Sequence, residues 1–211
     1  MVFDLDGTLI DSYALIAAAF RHAARTVLGR FLTDEEVLAH WGEPLPVRAA
    51  HLASDRAAEV VSAYTAYYDA HHDRLCRPFP GVIEMLAQAS ARGCALGIAT
   101  SKRRRSTMQA MDAFGFAAWI RVAVTAEDVR APKPSPDPVT LVLERLGVRP
   151  SEALLVGDGV FDIRAARAAG VRSVAAMWGT REAAAVLAAG PDYVAMRPGD
   201  VVPLLGSGPS G

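Results

Sequence analysis

The sequence has little cysteine, almost no net charge and no long apolar run, and each shortage removes a class of protein. Its two cysteines, Cys76 and Cys94, stand far apart and form no Cys-x-x-Cys pair. They read as reduced core residues, not as a disulfide or a metal site. A net charge of -1 over 211 residues gives no basic field, so nothing argues for nucleic acid as a partner. No apolar run approaches the ~18 residues that could span a bilayer, and no basic-apolar signal segment opens the chain. The expected setting is cytoplasmic, with no membrane partner. No internal repeat is visible. A hydrophobic content of 52% excludes a largely disordered chain, and 211 residues allow one or two compact domains.

What the chain does have is an opening string, Phe3-Asp4-Leu5-Asp6-Gly7-Thr8-Leu9, in which two carboxylates close a short apolar run. On a strand, residues two apart share a face, which would set Asp4 and Asp6 roughly 6.6 Å apart. Gly7 lets the chain turn away where a side chain would hinder it. One carboxylate can then attack a reacting centre while the other manages a proton. Like charges this close disfavour ionisation, and a divalent cation or an offset in pKa is the usual remedy. A solvated turn is the plainer reading of a single Asp-x-Asp, but the whole string behind an apolar run argues against it.

Three later segments have the same character. Leu96-Gly97-Ile98-Ala99 runs into Thr100-Ser101-Lys102, a buried strand that ends in hydroxyls and opens a helix. Ala131-Pro132-Lys133-Pro134 fixes a lone lysine between prolines on a stiff loop. Leu154-Leu155-Val156 is another apolar strand, followed by Gly157-Asp158-Gly159 and a further acid at Asp162. In an open parallel α/β sheet such strand ends converge on one crevice, where ligands bind.

Between Asp11 and Arg77 the pattern is helical only. Apolar residues at helical spacing run over 13–28, residues 33–36 carry a capping-box pattern, and further helices are expected over 47–52 and 57–75. Pro78-Phe79-Pro80-Gly81 breaks the pattern ahead of a helix over 82–92. Strands over 95–99, 122–125, 154–156 and 173–176 then alternate with helices over 103–114, 137–146 and 163–169. Residues 193–196 read as a short last strand. This alternation predicts an α/β fold with a parallel sheet covered on both faces. The expected boundaries are a core over 1–11 and 81–205, a helical insert over 12–80 and a Gly/Ser/Pro-rich mobile tail over 206–211.

In this order and spacing, the four motif segments resemble motifs one to four of the haloacid dehalogenase-like phosphohydrolase superfamily, from residue 2 to about residue 205. Within it the chain is most similar to the phosphoglycolate phosphatase group and its bacterial inorganic pyrophosphatases. Trp41-Gly42-Glu43-Pro44-Leu45 resembles that group's substrate loop, and the stretch from Tyr67 to Asp73 resembles one in the pyrophosphatases. The resemblance implies a Rossmann-like core with a helical cap that closes over the site. It implies Asp4 as nucleophile, forming an aspartyl-phosphate, and Asp6 as general acid and then base. Mg²⁺ would be held by Asp4, Asp158 and the backbone carbonyl of Asp6. Asp162 would steady a water or Lys133 from behind; a helix-start acid favoured by the dipole is the alternative. Thr100, Ser101 and Lys133 would bind the phosphoryl group, Thr100 also serving as an N-cap. Trp41, Gly42 and Glu43 would touch substrate from the cap, unless Trp41 only packs.

Other residues read more plainly. Lys102 to Arg105 suggest a solvated helix face before an attractor of polyanions, and His71 and His72 suggest surface or core. Dehalogenases of the superfamily lack the second Asp, and its sugar phosphomutases carry a His where this chain has Ile16, so neither activity is expected. The filled catalytic positions argue against a silent binding module. The expectation is an Mg²⁺-dependent phosphatase, monomeric or homodimeric, acting on a small phosphate monoester such as phosphoglycolate. Inorganic pyrophosphatase activity is the alternative.

Overall fold

In the computed structural model, which describes residues 1–206, the short apolar runs become strands. They are β1 (Val2–Phe3), β2 (Ile10–Asp11), β3 (Arg77–Pro78), β4 (Leu96–Ala99), β5 (Ile120–Val124), β6 (Leu154–Gly157), β7 (Arg172–Ala176) and β8 (Tyr193–Ala195). One six-stranded parallel sheet has the order β5-β4-β1-β6-β7-β8. Every residue of β1, β4 and β6 is buried, as strands covered on both faces must be. Val2 packs in a cluster with Val139, Val142 and Ala165, whereas Phe3 joins the opposite layer with Leu86 and Ile98. Two residues therefore suffice for the central strand, one anchoring each face.

The helices are α1 (Tyr13–Ala23), α2 (Asp34–Leu38), α3 (Leu45–Leu52), α4 (Ala57–Leu75), α5 (Val82–Ala91), α6 (Arg104–Ala113), α7 (Asp137–Leu146), α8 (Val160–Ala168) and α9 (Ala183–Ala188). A π-helical turn, Ala24–Leu28, prolongs α1, so the helical reading over 13–28 describes one continuous coil. Thr33 and Glu36 form the expected capping box at the start of α2. The segment α1 to α4 lies between β2 and β3, and these two strands pair antiparallel, Asp11 opposite Arg77. Both connections between the insert and the sheet thus run side by side. Phe20 of α1 meets Tyr64 of α4 with ring centroids 4.7 Å apart, one contact of the insert's own core.

Three expectations need correction. The first strand ends at Phe3, so Asp4 and Asp6 lie on the loop beyond it instead of on the strand. Their alternation survives, because Leu5 between them is fully buried while both acids stay partly exposed. The third helix of the core begins at Val160, ahead of the expected position 163, which puts Asp162 inside its first turn. Helix α9 was not expected at all: Ala183–Ala188 offers no contrast between apolar and polar positions. Of the expected tail, only Gly206 falls among the described residues. Among those residues no helix is long and apolar enough to cross a membrane.

Candidate active site

The backbone amide of Asp4 donates to the carbonyl of Val156 at 2.9 Å, carrying the sheet's pairing one residue past β1. This holds the first acid beside the end of β6, where Asp158 follows. Gly7, at φ +80°, turns the chain. A Cβ there would lie 2.2 Å from Asp158 Oδ2, so only glycine lets that carboxylate come so close. Thr8 Oγ1 donates to Asp158 Oδ1 at 2.9 Å. The hydroxyl of the opening string therefore orients the acid of the last motif.

Lys133 reaches in from the loop before α7. Its Nζ lies 2.9 Å from Asp4 Oδ1 and 2.5 Å from Asp162 Oδ1, with only 3% of the side chain exposed. Asp162 also accepts the Gly159 amide at 3.0 Å, so it serves as helix-start acid and lysine anchor together. Burial lifts the Asp4 carboxyl to about 6; the Asp162 charge adds to this, and the Lys133 ammonium pulls against it. Burial, with Asp4 and Asp162 nearby, pushes Asp158 well above the usual carboxylate range. Burial alone would lower the Lys133 ammonium, but Asp162 and Asp4 outweigh it and hold Lys133 above the ordinary lysine range.

Asp4, Asp158 and Asp162 each offer an oxygen, all within 4.8 Å of one another. Two buried acids and a half-buried one with one lysine leave negative charge unbalanced, and an all-oxygen donor set suits a hard dication such as Mg²⁺. Both oxygens of Asp162 already have protein partners, in Lys133 and the Gly159 amide. Asp4 and Asp158 are the members with capacity to spare. The residues present fit the metal.

Asp6 is held apart from this cluster. Lys102 Nζ straddles its carboxylate, 2.7 Å from Oδ1 and 2.9 Å from Oδ2, and lies 4.5 Å from the centre of the Tyr68 ring. With 7% of its side chain exposed, Lys102 does not belong to a solvated helix face, which corrects that expectation. Sequence reasoning missed it because a cation just ahead of a helix looks like surface. Its neighbours divide: Arg104 and Arg105 are exposed and paired to Asp128 and Asp69, as a surface run would be. The chain's two lysines, Lys102 and Lys133, are thus both committed to acids of this one site.

A cavity of about 160 Å³ opens over these groups. Its walls include Asp4, Asp6, Thr100, Ser101, Lys133 and Asp158 from the core, and Trp41, Gly42 and Glu43 from the insert. Helix α6 begins at Arg104, so Thr100 is not its N-cap; its Oγ1 accepts the Lys102 amide at 3.2 Å within the preceding loop. The Ser101 hydroxyl is buried without a hydrogen-bond partner. Trp41 packs against Tyr13 at 5.5 Å, and Gly42 lies against the Phe161 ring of α8. Trp41 both packs and lines the cavity. His71 stacks on Tyr67 and His72 is fully buried; neither joins a metal-ligating cluster among the described residues.

Sequence reasoning also missed Arg48. It is buried between the Phe20 ring, 4.2 Å from its guanidinium carbon, and the Trp41 ring at 5.2 Å. Its Nη2 donates to the Val37 carbonyl at 2.6 Å. Burial lowers it to about 10. Arg103 and Arg181 line the same cavity from loops of the core. Arg103 belongs to the basic run over 102–105, but no local pattern marks Arg48 or Arg181, because only the fold brings them to the cavity.

The chain is similar to known proteins over most of its length. A family model described as haloacid dehalogenase-like hydrolase matches residues 1–176. Pyrophosphatase PpaX of Bacillus velezensis is 35% identical over 206 residues, covering 98% of this chain and 95% of its own. PpaX of Halalkalibacterium halodurans is 32% identical, covering 98% and 96%. Among solved structures, a "putative phosphoglycolate phosphatase" of Lactobacillus plantarum superposes with a TM-score of 0.86 at 26% identity, covering 96% and 97%. With its motif residues gathered on one cavity and most of its length matched, the chain belongs to the haloacid dehalogenase-like hydrolase family, as a phosphatase.

Proposed function

We propose that this phosphatase hydrolyses a small molecule with two anionic ends, inorganic pyrophosphate foremost, with the help of Mg²⁺. The observation that carries the reading is the ring of cations on one small cavity: Lys133 beside Asp4, Lys102 beside Asp6, and Arg48, Arg103 and Arg181 in the remaining walls. A single phosphoryl group does not need so many. The size agrees, since about 160 Å³ is near the ~150 Å³ void that holds one benzene molecule. Phosphoglycolate, with a carboxylate at its second end, is the other reading, favoured by the apolar Ile16, Phe20 and Leu45 in the same walls.

The chemistry follows from the two acids. Asp4 attacks phosphorus and takes the phosphoryl group as an aspartyl-phosphate, while Asp6 gives a proton to the departing oxygen. Asp6 then takes a proton from water, which attacks the aspartyl-phosphate and frees phosphate. Lys133 keeps Asp4 oriented, and the Thr100 and Ser101 hydroxyls are within the same walls to donate to phosphoryl oxygens. Asp4 and Asp158 would hold Mg²⁺, whose chemistry here would be neutralisation of phosphoryl charge. The insert over 12–80 is the cap in this reading, the β2–β3 pair its hinge, and Trp41 to Glu43 its contact with substrate.

Phosphate release from pyrophosphate, phosphoglycolate and p-nitrophenyl phosphate, each with Mg²⁺ and with excess EDTA, tests this. Pyrophosphate should lead in kcat/KM, and EDTA should abolish turnover. A lead for p-nitrophenyl phosphate would remove the two-anion reading. No release from any of the three would place the substrate outside these classes.

A further inference from the structure

A second group of metal-ligating side chains sits on the insert, separate from the carboxylates. It consists of His40 and Glu43 from the loop between α2 and α3, and His51 in the last turn of α3. One ligand atom from each lies within 4.8 Å of the other two. His40 Nδ1 is 3.5 Å from Glu43 Oε1, and His51 Nε2 is 3.1 Å from Glu43 Oε2. A tetrahedral ion with bonds of about 2.0–2.1 Å holds its ligand atoms roughly 3.4 Å apart, and each of these contacts, one through each oxygen of Glu43, is close to that length.

One further observation points the same way. Glu43 Oε2 is buried and accepts no hydrogen bond, although the His51 ring nitrogen touches it. A buried carboxylate oxygen without a donor is costly unless something else takes its charge. The His40 and His51 rings stack, centroids 3.7 Å apart and 9° from parallel, so one of these half-exposed rings turns before both in-plane nitrogens meet one ion. His40 has φ 59°, and among the described residues it alone outside glycine is left-handed. Histidine, like asparagine, tolerates this region better than most residues.

We infer that His40, Glu43 and His51 form a site for a borderline transition dication of the Zn²⁺ class. Two imidazoles and one carboxylate suit Zn²⁺, Co²⁺ or Ni²⁺, whereas the all-carboxylate group at Asp4 suits Mg²⁺. Three protein ligands leave a fourth position open. Because Glu43 also lines the cavity over Asp4 and Asp6, an ion here would pin the Trp41 to Leu45 segment against α8 and bring a positive charge to the cavity rim. The insert would then report on transition-metal supply independently of the catalytic dication. This inference does not depend on which phosphate compound is hydrolysed.

Calorimetric titration of Zn²⁺ alone into the full chain in saturating Mg²⁺ tests it, with Co²⁺ absorption as a second probe. One Zn²⁺ per chain is expected, with affinity falling roughly 10-fold or more in His51→Ala and in His40→Asn. Asparagine keeps the left-handed backbone, so that variant removes a ligand without adding strain. Asp158→Asn should retain the Zn²⁺. Zn²⁺ should raise the melting temperature of the wild type and not of the two histidine variants. The visible bands of nitrogen-ligated Co²⁺ should vanish with either histidine. Unchanged Zn²⁺ affinity in both histidine variants, or no saturable Zn²⁺ binding by the wild type, overturns the site.

Discussion

Asp4 and Asp6 are neighbours in sequence with different partners, and that difference separates their roles. Asp4 shares Lys133 with Asp162 near Asp158; Asp6 faces Lys102 alone among the lysines. Replacing Asp4 with Asn should abolish turnover while leaving binding of a phosphate analogue intact. Replacing Asp6 with Asn should slow turnover by ~10²–10⁴, least for good leaving groups such as p-nitrophenolate. Single-turnover assays on pyrophosphate and p-nitrophenyl phosphate measure both, and near-normal rates in Asp4→Asn would exclude the covalent route. Lys102→Met should cost more on pyrophosphate than on p-nitrophenyl phosphate, because it frees Asp6 from its cation and removes a charge from the cavity. Equal losses on the two substrates would reduce Lys102 to a structural partner of Asp6. That Asp4, Asp158, Asp162 and Lys133 meet on one cavity was legible, because each ends or follows a recognisable apolar strand or rigid loop. Lys102 and Arg48 were not, because burial of a cation is decided by residues distant in sequence.

At the scale of elements, the site depends on how closely loops can approach one another. A Cβ on Gly179 would lie 1.7 Å from the Gly7 carbonyl oxygen, a backbone atom that cannot move aside. Trp178 Nε1 donates to the Thr8 carbonyl at 2.9 Å and clamps the same loop. Gly179→Ala should therefore push the loop from Gly7 to Thr8 off Asp158, losing about 1–3 kcal/mol in urea unfolding and most activity. Gly199→Ala meets nothing within 4 Å and should stay within about 0.5 kcal/mol of wild type. A neutral Gly179→Ala would show that the two loops are not in contact in solution. The alternating strands and helices were readable from burial runs and period. The β2–β3 pair was not, since two residues on each side carry no periodicity and the partners are separated in sequence by the whole insert.

For the whole molecule, the crowded acids predict how stability depends on pH without metal. Asp4 has a folded value of about 6 against an ordinary 3.8, so the folded state binds its proton more tightly than the unfolded chain. Burial shifts Asp158 in the same direction. The metal-free fold is therefore penalised above about 6 and relieved as pH falls from there toward 3.8. In EDTA the melting temperature should rise between pH 8 and pH 5, as scanning calorimetry would record. Saturating Mg²⁺ should abolish the rise by stabilising the ionised carboxylates. A melting temperature in EDTA that falls steadily over that interval would mean the acids are not crowded as described.

The confinement of both lysines to the cavity has a practical consequence for chemical labelling. Elsewhere the surface carries its positive charge on arginine, which does not react with amine-directed reagents under mild conditions. Every side-chain amine of this protein therefore reports on a single location. Acylating or reductively methylating reagents should modify Lys102 and Lys133 slowly in the folded protein, and a bound phosphate analogue should slow them further. Peptide mass mapping would read occupancy of the cavity from two residues, with no label needing to be engineered.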